Sequence, residues 1–243
     1  MPTPHTPVIW QTQDTEFVLM MIHVTLGYVA YFFMAESTAL RRYLEGRFGA
    51  RAQVYQVLVQ RYLGVFWMGI VPITVNFLLI PKTAADYGLS FINLDVSLYW
   101  TVGLSAVVLL INLGNARKPD NLAMYPQIRE PNWSAGLLVS SLLSWAAYLF
   151  AYELLFRGFL LFGTVSLLGA VPAIALNACI YAIAHIPKGI KETIGAVPLG
   201  IILSWLTFYT GTIWIAFGVH VALAWSNELL SLYFHPEIKL RRL

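Results

Sequence analysis

Seven apolar runs, each long enough to cross a lipid bilayer, cover most of this chain. About 20 helical residues span a hydrocarbon core of about 30 Å. A helix also satisfies its own backbone hydrogen bonds, which a segment in hydrocarbon must do because no water is present. The sequence therefore predicts an all-α, multi-spanning integral membrane protein with about seven transmembrane helices. The runs lie at residues 17–34, 62–80, 97–113, 135–163, 167–185, 193–209 and 212–234.

Composition supports the membrane class. Hydrophobic residues make up 58% of the chain and charged residues only 11%, whereas about a quarter of a soluble domain is charged. The single cysteine, Cys179, excludes an internal disulfide framework and a cysteine-based zinc motif.

The basic residues predict the topology. Thirteen of the 15 Lys and Arg residues fall in segments that the span count places on one side of the membrane. Cytoplasmic loops carry such an excess, so we predict an external N-terminus and a cytoplasmic C-terminus, in a bacterial inner membrane. The net charge of +3 follows from this bias. It indicates the lipid bilayer as a partner and no nucleic acid.

The segment 35–61 between the first two runs allows two interpretations. Val54, Val57, Leu58 and Arg61 are spaced as one helix face, which would suit an amphipathic helix lying on the membrane surface. The interpretation we favour at this point is a solvated basic linker that fixes the topology.

Two charged residues interrupt the fourth run. Glu153 and Arg157 are four residues apart, so they share a helix face and can form an ion pair. Each charge in hydrocarbon costs about 2.5 to 3.5 kcal/mol on insertion scales, and chains that retain such groups usually use them. A functional site is therefore predicted, and a purely structural pair is the alternative.

Two histidines are predicted to join this site. Glu153 and His185 each lie sixteen residues from Gly169, in the turn between the fourth and fifth runs, so an antiparallel hairpin puts them at one depth. His220 lies about 14 Å along its helix from the turn before it, a comparable depth. Asn227, two helical turns further on, is predicted to lie near the face of His220.

Other polar residues in the runs are predicted to be structural. His23 is a lone histidine in the first run. Asn76, Asn112 and Asn177 are expected to form hydrogen bonds between helices.

Three motifs follow one another in the second half of the chain: Glu153-Leu-Leu-Phe-Arg157-Gly158, Tyr181-Ala-Ile-Ala-His185-Ile-Pro187 and Gly211-Thr-Ile-Trp-Ile-Ala-Phe-Gly-Val-His220. Together they resemble the CAAX protease and bacteriocin-processing (CPBP, or Abi) family of intramembrane proteases, over about residues 134–227. The resemblance implies a variable N-terminal region at 1–133 with three spans. It also implies a core of four spans at 134–234 that encloses a hydrophilic cavity, and a basic cytoplasmic tail at 235–243.

The chain departs from the family pattern at three positions. Tyr152 stands where the family carries its first glutamate, the residue usually assigned as general base. Tyr181 replaces a phenylalanine. Ala224 replaces the asparagine after the second histidine, and Asn227 follows one turn later.

The resemblance implies peptide-bond cleavage by an activated water. Glu153 would accept the proton of the water, and His185 would orient or share that proton. His220 with Asn227 would hold the developing oxyanion. Arg157, Tyr152 and Tyr181 are expected to support these groups, with Tyr152 pointing partly into one water-accessible cavity that Glu153, Arg157, His185 and His220 line.

Three functions stay open on the sequence alone. The first is an intramembrane endopeptidase acting on a membrane-associated peptide or protein. The second is an inactive relative that binds a membrane partner or peptide in the same cavity. The third is a metal-dependent hydrolase in which Glu153, His185 and His220 ligate one divalent ion such as zinc; no other cofactor is indicated.

Overall fold

The computed structural model describes residues 9–240, and these form a helical bundle with one pair of two-residue strands. The helices are α1 Thr12–Ala35, α2 Thr38–Phe48, α3 Ala52–Gly64, α4 Val71–Leu79, α5 Leu94–Asn115, α6 Pro119–Met124, α7 Ala135–Glu153, α8 Phe162–Leu168, α9 Ala170–Ala184, α10 Ile190–Thr210 and α11 Trp214–Phe234. The strands are β1 Asn132–Trp133 and β2 Lys239–Leu240, which pair in parallel.

Six helical stretches in the described residues are long and apolar enough to cross a membrane, which confirms the predicted all-α, multi-pass class. The predicted fifth span, 167–185, is shorter than expected and is not among the six. It forms α9, which has 15 residues and a length of about 22 Å. Gly169, with a φ of 78°, precedes α9, and a 3-10 turn containing Pro187 follows it. The six stretches are Thr12–Ala35, Thr38–Leu79, Leu94–Asn115, Ala135–Leu168, Ile190–Thr210 and Trp214–Phe234.

The fourth stretch is one unbroken helix of 34 residues, Ala135–Leu168. At helical rise it is about 50 Å long, which confirms our expectation of an unusually long span. Its middle, Leu154–Leu161, is π-helical. Within this segment the Phe156 carbonyl accepts a hydrogen bond from the Asn177 side chain on α9, and Ser204 on α10 in turn donates to the Asn177 amide oxygen at 2.9 Å. The Asn177 side chain thus donates a hydrogen bond to a backbone carbonyl oxygen of the π-helical segment.

The segment 35–61 is helical, and the favoured prediction of a solvated basic linker holds only for its first part. Arg41, Arg42, Arg47 and Arg51 are exposed, but the apolar face of α3 is covered. Val57 on α3 is buried against Ile128, Trp133 and Leu232, and Val54 and Leu58 pack on the same cluster. The apolar face of α3 therefore packs against other parts of the protein. Membrane-surface binding is not needed to explain it.

Arg61, at the end of the same face, lies in a buried polar cluster that the sequence did not indicate. Its Nη1 donates to the Ser144 hydroxyl and the Ser141 carbonyl, both at 2.9 Å. Its Nη2 lies 3.8 Å from Oε1 of Glu228 on α11, and Ser141 donates its hydroxyl to that oxygen at 2.7 Å. The guanidinium also stacks over Trp145, 4.1 Å from the ring centre. This Arg61 cluster joins α3 to α7 and α11.

The lone polar residues have the predicted structural roles. Nδ1 of His23 lies 3.1 Å from the Asn76 side-chain nitrogen. Asn112 on α5 donates to the Leu223 carbonyl on α11 at 2.9 Å. Residues 9–133 pack against residues 134–234 through contacts such as that of Asn112 with Leu223, and the division of the chain into domains stays a prediction. The last three residues of the predicted tail lie outside the described residues.

Candidate active site

Glu153, the last residue of α7, is fully buried and lies between two partners. Its Oε1 is 2.6 Å from Nδ1 of His220 on α11. Its Oε2 is 3.2 Å from Nη1 of Arg157, one turn along the helix. A buried carboxylate needs such partners because leaving it unpaired in an apolar interior costs several kcal/mol. The predicted ion pair is therefore present, and the carboxylate is also tied to a histidine.

His220 connects this buried carboxylate to the cavity described below. An ionised carboxylate can only accept hydrogen bonds, so Nδ1 of His220 carries the proton that Glu153 receives. In the neutral ring, Nε2 is then the basic nitrogen. His220 is 6% exposed and is one of the residues that line the cavity.

His185 lies at the C-terminal end of α9 and does not bind Glu153. Its Nδ1 lies 2.8 Å from the Tyr181 carbonyl, which can only accept, so this ring also carries its proton on Nδ1 and has Nε2 as its base. The rings of His185 and Tyr181 lie 4.4 Å apart. The Arg157 guanidinium lies over the ring of Tyr181, 4.0 Å from the ring centre, and forms a cation–π contact with it.

Tyr152 packs against both histidines. Its ring centre is 5.8 Å from that of His220 and 6.1 Å from that of His185, and both imidazoles stand nearly perpendicular to it, at 84° and 86°. The Tyr152 hydroxyl has no hydrogen-bond partner among the described residues. The ring itself forms part of the cavity wall.

The cavity has a volume of ≈ 180 Å³ and is rich in tyrosine. Its wall is completed by α1, which lies outside the motifs, and by the turn after α9. The residues that line it are Tyr28, Tyr31, Phe32, Ala35, Glu36, Tyr148, Leu149, Tyr152, Ala184, Pro187, Lys188 and His220.

Of the four residues predicted to line the cavity beside Tyr152, only His220 does so. Glu153, Arg157 and His185 are not among the lining residues. The reason is helical geometry: adjacent residues on a helix point about 100° apart, so Tyr152 faces the cavity and Glu153 lies behind it.

Asn227 is also absent from the cavity wall. It is buried, and its side-chain oxygen lies 3.5 Å from the Ser231 hydroxyl one turn along α11. The predicted support of an oxyanion by Asn227 stays a prediction.

The metal alternative lacks a ligand cluster in the described residues. No three His, Cys, Asp or Glu side chains between residues 9 and 240 come together as they would around a metal ion.

Sequence analysis did not single out Tyr28. Its hydroxyl donates a hydrogen bond of 2.6 Å to the carbonyl of Ala184, the residue before His185. The available signal was the spacing of Tyr28, Tyr31 and Phe32, which puts three aromatic residues on one face of α1. That face forms a wall of the cavity.

Residues 128–226 match a family model described as type II CAAX prenyl endopeptidase Rce1-like. No curated protein and no solved structure matches the chain. The matched segment includes Glu153, Arg157, His185 and His220, so it confirms the family resemblance that these residues indicated.

Proposed function

With residues 128–226 identified as an Rce1-like segment of the CAAX protease family, we propose that this multi-pass membrane protein cleaves peptide bonds with His220 as the base. The family match supports an intramembrane protease-type function. The observation that favours His220 is its 2.6 Å hydrogen bond to the fully buried Glu153, combined with its place in the cavity wall.

His220 suits the role of base better than Glu153 does. The Glu153 carboxylate is bound on one oxygen by His220 and on the other by Arg157, and it does not border the cavity. His220 keeps Nε2 as its basic nitrogen. Glu153 then has a positioning role, because it fixes the tautomer and orientation of the ring and stabilises the imidazolium when that ring is protonated.

The reaction proceeds in two proton transfers. Water gives a proton to Nε2 of His220 while its oxygen bonds to the scissile carbonyl carbon, and the carbonyl π electrons move onto the carbonyl oxygen. The imidazolium then gives that proton to the amide nitrogen. The C–N bond breaks with its electron pair going to nitrogen, and the carbonyl re-forms. The products are a carboxylic acid and an amine.

The remaining residues support this step. Arg157 balances the charge of Glu153 inside the bundle, which the geometry of their ion pair favours. His185 provides a second imidazole in contact with Tyr152. The substrate we propose is a membrane-associated peptide or protein, because the cavity lies among helices long and apolar enough to span the bilayer.

The test compares new peptide N-termini in membranes of cells that produce the wild-type chain, His220→Gln or Glu153→Gln. N-termini that appear with the wild-type chain and are lost in both variants support the proposal. His23→Gln is the matched control and should leave the N-termini unchanged, because His23 is similarly buried and hydrogen-bonded but belongs to a different pair. N-termini that persist in His220→Gln would overturn the assignment.

A second experiment tests the substrate class in the family description. The purified chain is given a farnesylated CAAX peptide and its unprenylated form, and cleavage of the two is compared.

One observation favours the alternative of an inactive relative that binds a membrane partner. Tyr152 occupies the first glutamate position of the family, and Glu153 is sealed behind it without exposure. If no N-terminus depends on the wild-type chain, and a membrane peptide crosslinks to the cavity wall equally in wild type and His220→Gln, the binding function replaces the catalytic one.

A further inference from the structure

The residues that line the cavity differ in exposure, and this difference separates its floor from its mouth. His220 and Tyr152 are 6% and 4% exposed, so they lie at the floor. Glu36 and Pro187 are exposed, and the side chain of Lys188 is 34% exposed. These last three residues mark the mouth, and a peptide that reaches His220 must pass them.

The backbone of Lys188 is fixed beside the candidate site. Lys188 ends the 3-10 turn Ile186–Lys188, which follows α9, and its amide donates to the His185 carbonyl at 2.9 Å. Pro187 restricts the φ of the same turn. The side chain is different, because a lysine carries its charge on a flexible four-carbon stem. The ammonium can therefore turn toward a ligand while its attachment point stays in place.

The Lys188 ammonium has only a weak partner among the described residues. Its Nζ lies 3.9 Å from Oε2 of Glu192, which is beyond the range of a hydrogen bond. Glu192 is also engaged elsewhere, because the Tyr125 hydroxyl donates to its Oε1 at 3.2 Å. Nζ of Lys188 is not one of the buried polar atoms that lack a partner, so it is open to solvent. A cation in this state can bind an anion that enters the mouth.

We propose that Lys188 binds a carboxylate of the substrate peptide at the mouth of the cavity while the scissile bond lies at His220. This inference rests on the proposed function and narrows its substrate class to peptides with an acidic group close to the cleaved bond. The carboxylate is that of the C-terminus or of an Asp or Glu side chain, since an ammonium forms the same charge-assisted hydrogen bond with each.

The size of the cavity limits the distance between the acidic group and the cleaved bond. A sphere with the cavity volume of ≈ 180 Å³ is about 7 Å across, the length of about two residues of extended chain. The carboxylate therefore lies about two residues from the bond that is cleaved.

Glu36 gives the mouth a second charge, of opposite sign. It is the C-cap residue of α1 and is exposed, so solvent and salt screen its charge. It repels an anion that Lys188 attracts. Removal of the two charges should therefore change the binding of an acidic peptide in opposite directions.

The test uses three versions of one CAAX peptide, each in farnesylated and unprenylated form. The first has a free C-terminal carboxylate, the second a C-terminal amide, and the third an amide with Glu as its last residue. For wild type we expect KM to be about five- to tenfold lower for a peptide with a carboxylate than for the uncharged amide, the effect of one partly exposed charge-assisted contact. The second and third peptides show whether the C-terminus or a side chain supplies the carboxylate.

Lys188→Gln should abolish this preference and bring KM for every version to that of the amide. It should change kcat by less than about twofold, because the contact is present equally before and during the reaction. Lys188→Arg should keep the preference. Glu36→Gln should keep it as well and lower KM for the acidic peptide by less than about threefold, because its charge is screened.

Lys191→Gln is the matched control. It removes the same charge three residues further along the chain, but Lys191 is 80% exposed, pairs with Asp120 and does not border the cavity. It should keep the wild-type preference. An equal loss in Lys188→Gln and Lys191→Gln would show that overall charge, and no contact at the mouth, causes the effect, and the inference would be wrong.

The outcomes separate this inference from the function proposed for His220. If His220→Gln is inactive and Lys188→Gln keeps the preference for a carboxylate, the Lys188 inference is wrong and the function of His220 stands. If His220→Gln still cleaves and Lys188→Gln loses the preference, the base is wrongly assigned and the Lys188 inference stands. If no peptide is cleaved, binding of the same peptides with a fluorescent label is measured. A carboxylate preference that is lost in Lys188→Gln then supports the inference without cleavage, and the absence of any preference overturns it.

Discussion

The hydroxyl of Tyr28 on α1 is hydrogen-bonded to the carbonyl of Ala184 on α9, at 2.6 Å. Ala184 precedes His185, and both Tyr28 and Ala184 border the cavity. Residue 28 lies outside the segment 128–226 that matches the Rce1-like family. The N-terminal region therefore helps to build the candidate active site.

Tyr28→Phe should weaken both the fold and the site. Loss of the hydrogen bond leaves the Ala184 carbonyl without this partner and should lower the free energy of unfolding by about 1 kcal/mol. Because His185 follows directly, we also expect a several-fold loss of cleavage. Tyr43→Phe on α2 is the control, since Tyr43 is 67% exposed. Equal results for the two variants would show that the Tyr28 hydrogen bond is unimportant.

Glu153→Gln should abolish most activity through His220. The amide cannot stabilise the imidazolium as the carboxylate does, so we expect turnover to fall by about 10² to 10⁴-fold. The same change leaves the buried Arg157 without its countercharge and should destabilise the protein by about 3 to 5 kcal/mol. The double variant Glu153→Gln, Arg157→Gln should regain stability and remain inactive. Turnover and chemical unfolding are measured for both. Recovery of cleavage in the double variant would contradict the role of the carboxylate.

Arg61→Met should be far more destabilising than removal of a surface charge. It leaves the carboxylate of Glu228, which is fully buried, without its cation, and we expect a loss of about 3 to 5 kcal/mol in the free energy of unfolding. Lys191→Met breaks the pair with Asp120, in which the two side chains are 80% and 54% exposed. It should cost less than about 1 kcal/mol. Chemical unfolding of both variants tests the difference, and similar losses would refute it.

A reporter fused after Leu243 should read as cytoplasmic, and one inserted near Asp86 as external. The reason is the asymmetry of the basic residues. The experiment also tests whether the short helix α9 counts as a crossing, since the predicted topology needs an odd number. Reporters that place both positions on the same side would overturn the predicted topology.

Much of the fold could be predicted because its causes are local. Hydropathy over about 20 residues marks the long spans, and four-residue spacing correctly paired Glu153 with Arg157. Helical rise also placed His220 at a depth comparable to that of Glu153, and the two side chains are in contact. Hydropathy overestimated the length of α9, because the apolar run continues through the turn at Gly169, and Leu167 and Leu168 end α8.

The parts that could not be predicted depend on distant neighbours. Arg61 and Glu228 are far apart in sequence, and no local pattern connects them. The orientation of Tyr152 and Glu153 was harder still, because either could face the cavity until the packing of α1 and α11 was known. The π-helical segment Leu154–Leu161 carries no residue pattern of its own and changes the register of the helix that contains it.

The Arg61 cluster also has a consequence for how this protein can be divided. The family match ends at residue 226, two residues before the carboxylate that faces Arg61. The segment that the motifs identify therefore does not contain all of the residues that hold it in place. A gene fragment encoding only the matched segment would lack both charges, the aromatic wall from α1 and the end of α11. The motifs form a recognisable unit of sequence, but the unit of packing is the larger bundle.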